Sequence, residues 1–226
     1  MRIRLFVLLL GCLMPSVLTA QRPTKETIYF GATGGIATLS GDANAVITSS
    51  SASTSTYDPS NGGAAGAFIG AHIFDYFSFQ ADYVWNRNDV VLTSSISSSG
   101  VSNFYRLPET VTQNAFLGSA LIYFRKPESR IRPYLSEGAG GVLIHSRLSG
   151  GGITGGTPAL PPPFSDHASI AVRTSVGLDV RLVRSWYFRY SFSETITRNT
   201  FGDQLSPPEH RVAKNFQSLF GIYLKL

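Results

Sequence analysis

The sequence predicts an all-β fold, an eight-stranded antiparallel up-and-down barrel that crosses a membrane. Apolar and polar residues alternate with a period of two along several segments, and those segments are about 9 to 16 residues long. Short turns and long polar stretches alternate between them. Strands of soluble proteins average about 5 to 6 residues, whereas a tilted membrane-crossing strand needs about 9 to 11. The segments are therefore long enough to span a bilayer.

The first twenty residues have the pattern of a cleaved signal peptide. Arg2 and Arg4 precede an apolar run from Leu5 to Met14, and Ala20 is the small residue expected before the cleavage point. About ten apolar residues are too few to cross a bilayer of about 30 Å, so an N-terminal membrane anchor is the weaker alternative. We therefore expect residues 1–20 to be removed on secretion.

One domain is predicted after this segment. Residues 21–26 form a short N-terminal lead, and the barrel occupies residues 27–226. The only cysteine, Cys12, belongs to the signal peptide, so we expect the mature chain to contain neither a disulfide nor a thiolate ligand. The formal charge of +5 includes two signal-peptide arginines and is dispersed, which gives no reason to expect a nucleic-acid partner.

Eight segments are predicted as strands. The clearest alternation lies between residues 77 and 86, where Phe79 and Tyr83 share one face while Gln80 and Asp82 share the other. The eight segments are 27–39, 64–74, 77–86, 111–124, 131–146, 170–182, 186–194 and 215–226.

The connections between these segments differ in length on the two sides of the predicted barrel. Short turns are predicted at residues 75–76, 125–130 and 183–185. Long loops are predicted at about 40–63, 87–110, 147–167 and 196–211. Membrane barrels of the outer membrane have long extracellular loops and short periplasmic turns. An even strand count then places both the N- and the C-terminus in the periplasm.

Alternation alone does not say which face points outward, because a soluble lipocalin-like barrel has the same period with apolar residues inside. Mid-segment charges favour a lipid-facing apolar side, since a polar interior suits them. Aromatic residues near segment ends, such as Trp85, Tyr134 and Trp186, are typical of the interfacial girdles of membrane barrels. We therefore expect lipid outside.

A charge network is predicted in the interior. Unpaired charges in a narrow, poorly hydrated interior are costly, so we expect opposite charges there to pair. Eight strands leave room only for side chains, which argues against a general porin. We interpret the network as structural, with an ion or small-solute channel as an alternative. The candidate residues are Asp82, Glu137, Arg173, Asp179 and Arg189.

A second alternative is a lipid-modifying enzyme, because some small outer-membrane barrels are such enzymes and place His and Ser at the outer rim. His145 is followed by Ser146, and His167 and His210 lie in or beside other loops. A general base must lie within hydrogen-bond reach of its proton, which spacing does not establish. His72 is expected inside a strand as a satisfied interior residue. We expect no enzyme activity, no catalytic or metal-binding residues and no cofactor.

Three motifs resemble a known family. The run from Arg132 to Gly141 looks like the Pro-Tyr-x-x-x-Gly-x-Gly strand of OmpA/OmpX-like outer-membrane β-barrel domains. The runs 177–181 and 187–190 are similar to the penultimate hairpin of that family. The closing run 220–226 resembles its assembly signal, which implies a signal carried by Phe220, Ile222, Leu224 and Leu226 with a leucine at the usual terminal aromatic position.

These observations predict a non-enzymatic protein of the Gram-negative outer membrane with an envelope-structural or surface-interaction role. The expected partners are outer-membrane lipid, lipopolysaccharide and the barrel-insertion machinery. An extracellular ligand bound through the loops is a further candidate partner.

Overall fold

The structure is a computed structural model that describes residues 23–98, 101–154, 160–200, 205–208 and 212–226. The predicted signal peptide and His210 lie outside these ranges. Within them, no helix is long and apolar enough to cross a membrane. The regular elements are eleven β-strands: β1 (Pro23–Leu39), β2 (Asp42–Ile47), β3 (Ser51–Pro59), β4 (Gly62–Phe74), β5 (Phe77–Ser98), β6 (Val101–Tyr123), β7 (Ile131–Leu148), β8 (Gly152–Thr154), β9 (Phe164–Val183), β10 (Trp186–Arg198) and β11 (Val212–Lys225).

Antiparallel pairings close the sheet into a ring. Going around it, the order is β1, β4, β5, β6, β7, β9, β10, β11 and again β1. Once β2, β3 and β8 are set aside, this is the order along the chain, as in an up-and-down barrel. The three remaining strands lie where the sequence predicted loops: β2 and β3 within 40–63, and β8 within 147–167. The first strand also begins earlier than predicted, at Pro23 inside the expected lead, with a register shift before Thr27.

The two ends of the ring differ. At one end, which we call the turn end, short connections join β4 to β5, β6 to β7, and β9 to β10. Pro23 pairs with Phe74 beside the first of these turns, and the Lys225 amide donates to the Ser185 carbonyl in the last. Both ends of the described chain therefore lie at the turn end. The opposite end is called the extension end.

At the extension end the sheet continues where the sequence predicted a loop over 87–110. Strands β5 and β6 have 22 and 23 residues and remain paired from Phe77 with Ile122 to Ser98 with Val101. Beyond the ring, β3 pairs with β5, β2 with β3, and β8 with β6. The sequence of this region is rich in Ser and Thr, which looks like a loop, but Thr and Val favour strands and both continue the alternation. We call these five paired segments the extension sheet: β2, β3, β8 and the parts of β5 and β6 that lie within residues 87–110.

The ring has an apolar outside and a polar inside. Phe79 is 55% exposed and Ile170 is 79% exposed, whereas Asp179 is fully buried and Arg132 is 2% exposed. A soluble protein has the opposite arrangement, because it rarely exposes a large continuous apolar surface. The expected orientation of the two faces is therefore the one observed, and the lipocalin-like alternative does not fit.

Candidate functional site

The centre of the interior is an ion pair between Arg189 of β10 and Asp179 of β9. Arg189 Nε donates to Asp179 Oδ1 at 2.7 Å, and Arg189 Nη2 donates to Oδ2 at 2.8 Å. The two side chains face each other in register across the β9–β10 pairing. Planar, two-point contact of this kind is the strongest form of a charge-assisted hydrogen bond.

Aromatic residues surround this pair. The hydroxyls of Tyr123 and Tyr223 each donate to Asp179 Oδ2 at 3.0 Å, while Arg189 Nη2 donates to the Tyr123 hydroxyl at 3.1 Å. The guanidinium carbon lies 4.7 Å from the ring centroid of Phe68, a cation–π distance. Each polar atom of the buried pair thus has a donor, an acceptor or an aromatic face beside it. The ring that surrounds it, called the aromatic cage, consists of Tyr29, Phe68, Tyr123, Tyr134 and Tyr223.

The cage is closed on the turn side by Arg132. Its guanidinium carbon lies 3.9 Å from the ring centroid of Tyr123. Its Nη2 donates to the Asp75 carbonyl at 2.8 Å, in the turn between β4 and β5. Arg132 therefore ties the aromatic cage to the turns, and the turn end is filled by side chains.

Asp82 and Arg173 lie deeper in the interior, beside a cavity of about 30 Å³. Asp82 accepts hydrogen bonds from Gln80 Nε2 at 2.6 Å and Ser119 Oγ at 2.9 Å. Arg173 Nη2 donates to Ser193 Oγ at 3.0 Å. A cavity of this size holds one or two water molecules.

Amide side chains cross the interior on the extension side of this cavity. Asn215 Nδ2 donates to Gln113 Oε1 at 2.7 Å and to Asn86 Oδ1 at 3.1 Å, and Asn86 Nδ2 donates to Asn88 Oδ1 at 2.9 Å. These bonds connect the neighbouring strands β5 and β6 with β11, which lies on the opposite part of the ring. Neutral hydrogen-bonded groups therefore brace the barrel from within.

Apolar residues close the extension end. A buried cluster there includes Tyr57 of β3, Leu92 of β5, Tyr105 of β6 and Leu205 of the segment 205–208. The aromatic cage and this apolar cluster thus occupy the two ends of the described interior, with the small cavity and the amide side chains between them.

Glu109 is the buried carboxyl of the extension sheet. Its side chain points inward and is 1% exposed. Burial raises the pKa of the Glu109 carboxyl, an effect that the neighbouring Ser146 hydroxyl opposes. Burial also raises the pKa of Tyr57, and the Glu109 charge adds to that rise.

Four of the five predicted network residues face inward, but Glu137 does not. Its carboxylate is exposed on the outer face of β7, where Thr174 Oγ1 donates to Oε2 at 2.9 Å. Strict alternation explains the difference, because Tyr134 and Ser136 point inward and Glu137 shares the outer face with Leu135. The expectation that Glu137 joins the interior network is corrected: its charge suggested the inside, but its position in the strand decides.

Tyr134 is a second correction. Its position near a segment end predicted a place in an interfacial girdle, yet Tyr134 is 3% exposed and belongs to the aromatic cage. Trp186, in contrast, is 50% exposed at the turn end of β10. Chain position near a strand end is therefore not enough to assign an aromatic residue to the outside.

The histidines are separated by the faces of their strands. His72 is buried and contacts the Ser78 hydroxyl through Nδ1. His145 points outward and contacts Asp166 at 2.7 Å, whereas the adjacent Ser146 points inward and is buried. His167 Nε2 contacts Ser165 Oγ at 2.5 Å. His145 and Ser146 therefore cannot act on one substrate group from the same face.

The residues of the implied assembly signal follow one side of the last strand. Phe220 is 52% exposed, Ile222 50% and Leu226 70%, and Leu224 lies on the same outer face. They form part of the apolar outer surface and contribute nothing to the interior network.

Sequence reasoning missed most of the aromatic cage. Tyr29, Tyr123, Tyr223 and Phe68 lie on four strands that are far apart in the chain, and Gln80 joins them by accepting from Arg189 Nη1 at 2.6 Å. The available signal was the alternation along each strand, which places each of these aromatic residues on the inward face. Which inward residues meet depends on the register between strands, which the sequence does not contain.

Comparison with known proteins identifies the fold. No protein-family model matches the sequence, and no curated protein matches it. Among solved structures, Neisserial surface protein A matches with a TM-score of 0.50 and 15% identity over 90% of this chain and 100% of that one. Ail, the attachment invasion locus protein of Yersinia pestis, matches with a TM-score of 0.47 and 7% identity over 88% and 99%. OprG of Pseudomonas aeruginosa matches with a TM-score of 0.44 and 12% identity over 88% and 95%. The chain thus has the fold of outer-membrane β-barrel proteins.

Proposed function

We propose that this chain is a non-enzymatic outer-membrane protein that presents its extension sheet at the cell surface for interaction with other surfaces. Its ring crosses the membrane as an eight-stranded barrel with both termini in the periplasm. The turn end is the periplasmic side, and the extension end is the extracellular side. Lipid and lipopolysaccharide surround the outer face, and the insertion machinery reads the last strand.

The extension sheet is the observation that carries this proposal. A membrane crossing needs about 9 to 11 residues per strand. Strands β5 and β6 have 22 and 23 residues, so about half of each projects beyond the bilayer. A protein that served only as a plug in the membrane would not need this projection.

The projection is also a built structure. Ser55 Oγ donates to the Pro207 carbonyl at 2.7 Å, and Asn44 Nδ2 donates to the Pro208 carbonyl at 2.9 Å. The segment 205–208 is therefore fastened across β2 and β3. A rigid scaffold that holds polar segments in place is how binding surfaces are commonly supported.

The side chains that occupy the two ends of the interior support a binding role over a channel. Conduction needs a continuous polar path, but the aromatic cage and the apolar cluster occupy the two ends of the barrel. The fold shared with Neisserial surface protein A is consistent with a membrane barrel. Against the lipid-modifying alternative, His145 and the adjacent Ser146 point to opposite faces and do not form a His–Ser pair.

The test is adhesion of intact cells. Cells that express the chain, and cells that express a variant with residues 42–59 replaced by a short Gly-Ser linker, are compared for binding to immobilised epithelial cells and to each other. We expect adhesion to be lost in the variant while resistance of the envelope to detergent is unchanged. A matched control shortens the turn 125–130 at the other end by two residues.

Equal adhesion by the variant and the parent would overturn the surface role, as would adhesion by neither. Loss of detergent resistance in the variant would instead support a role in envelope structure. Gel mobility with and without boiling shows in each case whether the barrel has formed.

A further inference from the structure

The outer face of the barrel carries a wide groove. It has a volume of about 830 Å³ and crosses the outer sides of β4, β5, β6 and β7. Small residues form most of its floor, Phe79 lies among them between Ala71 and Ala120, and Val172 of β9 lines it beyond β7. Small residues let a neighbouring molecule approach the backbone closely, as in membrane interfaces. The floor consists of Ala71, Ala81, Gly118, Ala120 and Ala139.

Glu137 also lines this groove, at its β7 side, where its carboxyl contacts Thr174 of β9. Glu137 lies six positions after Ile131 and six before Leu143, which are both 43% exposed apolar residues of the same face. At about 3.3 Å per residue and a tilt of about 45°, it lies about 14 Å from either, near the middle of an apolar band about 25 Å tall. Its partner Thr174 supplies one hydrogen bond, and no cation pairs with it in the part of the chain that the structure describes.

Such a group is expensive in lipid and marks a site of interaction by default. Acyl chains can fill the groove but carry nothing at this depth that donates a hydrogen bond. The occupant that the chemistry favours therefore combines bulky apolar groups with a hydroxyl or another donor at mid-membrane.

The opposite side of this same barrel has that composition. Strands β10 and β11 are separated from β5 and β6 by two strands on either side of the ring. Their outer face carries aromatic residues that contact one another, with ring centroids of Tyr190 and Phe220 4.9 Å apart. We call this surface the aromatic ridge: Phe188, Tyr190, Phe192, Phe216 and Phe220.

Tyr190 supplies the donor. Its hydroxyl accepts a hydrogen bond from Ser218 Oγ at 3.3 Å, which leaves its own proton available for another acceptor. Tyr190 is four positions and Phe192 six positions from Trp186 at the turn end, comparable with the six positions between Ile131 and Glu137. Ridge and groove therefore lie at similar depths.

We propose that the groove of one copy receives the aromatic ridge of a second copy, with the Tyr190 hydroxyl donating to the Glu137 carboxyl. Because the two surfaces differ and lie on opposite sides of the barrel, the contact is head to tail. Contacts of this kind do not close on themselves at two copies. Rows of barrels in the membrane plane follow.

This inference rests on the proposed membrane location. The test uses the full chain in outer membranes, in a Cys12→Ala background, with Ala120→Cys in the groove and Phe220→Cys in the ridge. After oxidation we expect the double variant to give a ladder of dimers, trimers and larger species. Each single variant should give monomer only.

Filling the groove provides a second test. Ala71→Phe adds a ring to the groove floor, and Ala65→Phe adds the same ring to the same outer face of β4 outside the groove. We expect the first to reduce crosslinked multimers about tenfold and the second to change them less than about twofold, since only buried contacts carry binding energy. Glu137→Leu should reduce multimers, whereas Glu137→Gln, which keeps an acceptor oxygen, should retain them.

Three results would overturn the proposal. The first is a double variant that stays monomeric although boiling changes its gel mobility, which would leave lipid as the occupant. The second is crosslinking of Ala120→Cys alone, which would mean a two-fold symmetric contact. The third is equal multimer yield from Ala71→Phe and Ala65→Phe. A chain found outside the membrane fraction would instead contradict the proposed function.

Discussion

Arg189 and Asp179 are direct cross-strand partners and are joined by two hydrogen bonds of 2.7 and 2.8 Å in a region with almost no solvent. Removing one member leaves the other as an unpaired buried charge. Replacing both with apolar residues leaves no buried charge, in a site that is already lined by aromatic rings. The pair therefore differs from a surface salt bridge, which contributes little.

The first prediction concerns this pair. Arg189→Met should lower the free energy of unfolding by about 3–5 kcal/mol, because the Asp179 carboxylate is then left unpaired. The double variant Arg189→Met, Asp179→Leu should be more stable than that single variant. Urea unfolding of the protein in lipid vesicles measures both. A double variant less stable than the single one would contradict the argument.

The second prediction concerns the tyrosine hydroxyls that donate to Asp179. Tyr223→Phe and Tyr123→Phe should each lower the free energy of unfolding by about 1.5–3 kcal/mol, the range for hydrogen bonds to charged groups. Tyr187→Phe is the matched control, since its ring stacks on Tyr223 at 4.8 Å but its hydroxyl is not among the donors to Asp179. An equal loss in all three variants would mean that packing and not hydrogen bonding is responsible.

The third prediction uses Gly177, over which the ring of Tyr134 lies. A Cβ added at Gly177 would come within 2.2 Å of the Tyr134 ring, whereas one added at Gly141 would meet nothing within 4 Å. Gly177→Ala should therefore cost about 1–3 kcal/mol through overpacking. Gly141→Ala should be neutral or slightly stabilising, because alanine restricts the unfolded chain. Thermal or urea unfolding of both variants checks the difference.

The fourth prediction is a pH dependence of the extension sheet. Burial raises the pKa of the Glu109 carboxyl above its ordinary value of 4.5, so the folded sheet holds this proton more tightly than the unfolded chain. Its stability is therefore greatest below pH 4.5 and falls as the pH rises through the raised pKa. Amide hydrogen exchange of β5 and β6 measures this stability.

A matched pair of substitutions isolates Glu109. Glu109→Gln should raise the protection of the amides of β5 and β6, relative to the unfolded chain at the same pH, at pH 7, and should remove the difference in protection between pH 4 and pH 7. Glu128→Gln, at an exposed position of a turn, should leave the dependence as it is. Unchanged exchange in Glu109→Gln would show that another group is responsible.

The fifth prediction is that the purified protein does not conduct. Planar-bilayer recordings should show no steady current steps, because the aromatic cage and the apolar cluster close the two ends. A general porin in the same bilayer is the positive control. Stable unitary steps would revive the channel alternative.

The sequence predicted the ring well because alternation is a local property. The residues between 77 and 86 show both faces plainly, with Phe79 outward and Val84 inward, and the structure places them so. The same rule applied strictly would have put Glu137 outside. Glu137 was wrongly predicted to face inward because its charge was given more weight than its position in the alternation.

The extension sheet and the aromatic cage could not be predicted in the same way. Residues 51–56 are all Ser, Thr or Ala, and they form the first part of β3 because β5 offers a partner strand at Ser95 and Ile96. The rings of Tyr29 and Tyr223 are in contact, with centroids 5.4 Å apart, although 194 positions separate the two residues. Both features depend on register between strands, which is a property of the assembled sheet.

The linear order of the sheet begins with β2 and ends with β8, and both strands belong to the extension sheet. Unpaired backbone groups at the margins of a sheet invite other chains to add strands, which leads to aggregation. Here those margins are only six and three residues long. If the ring is in lipid, each of its strands is paired on both sides there, and the exposed margins lie in water, where hydration satisfies them. The fold thus confines its risk of uncontrolled strand addition to two short stretches outside the bilayer.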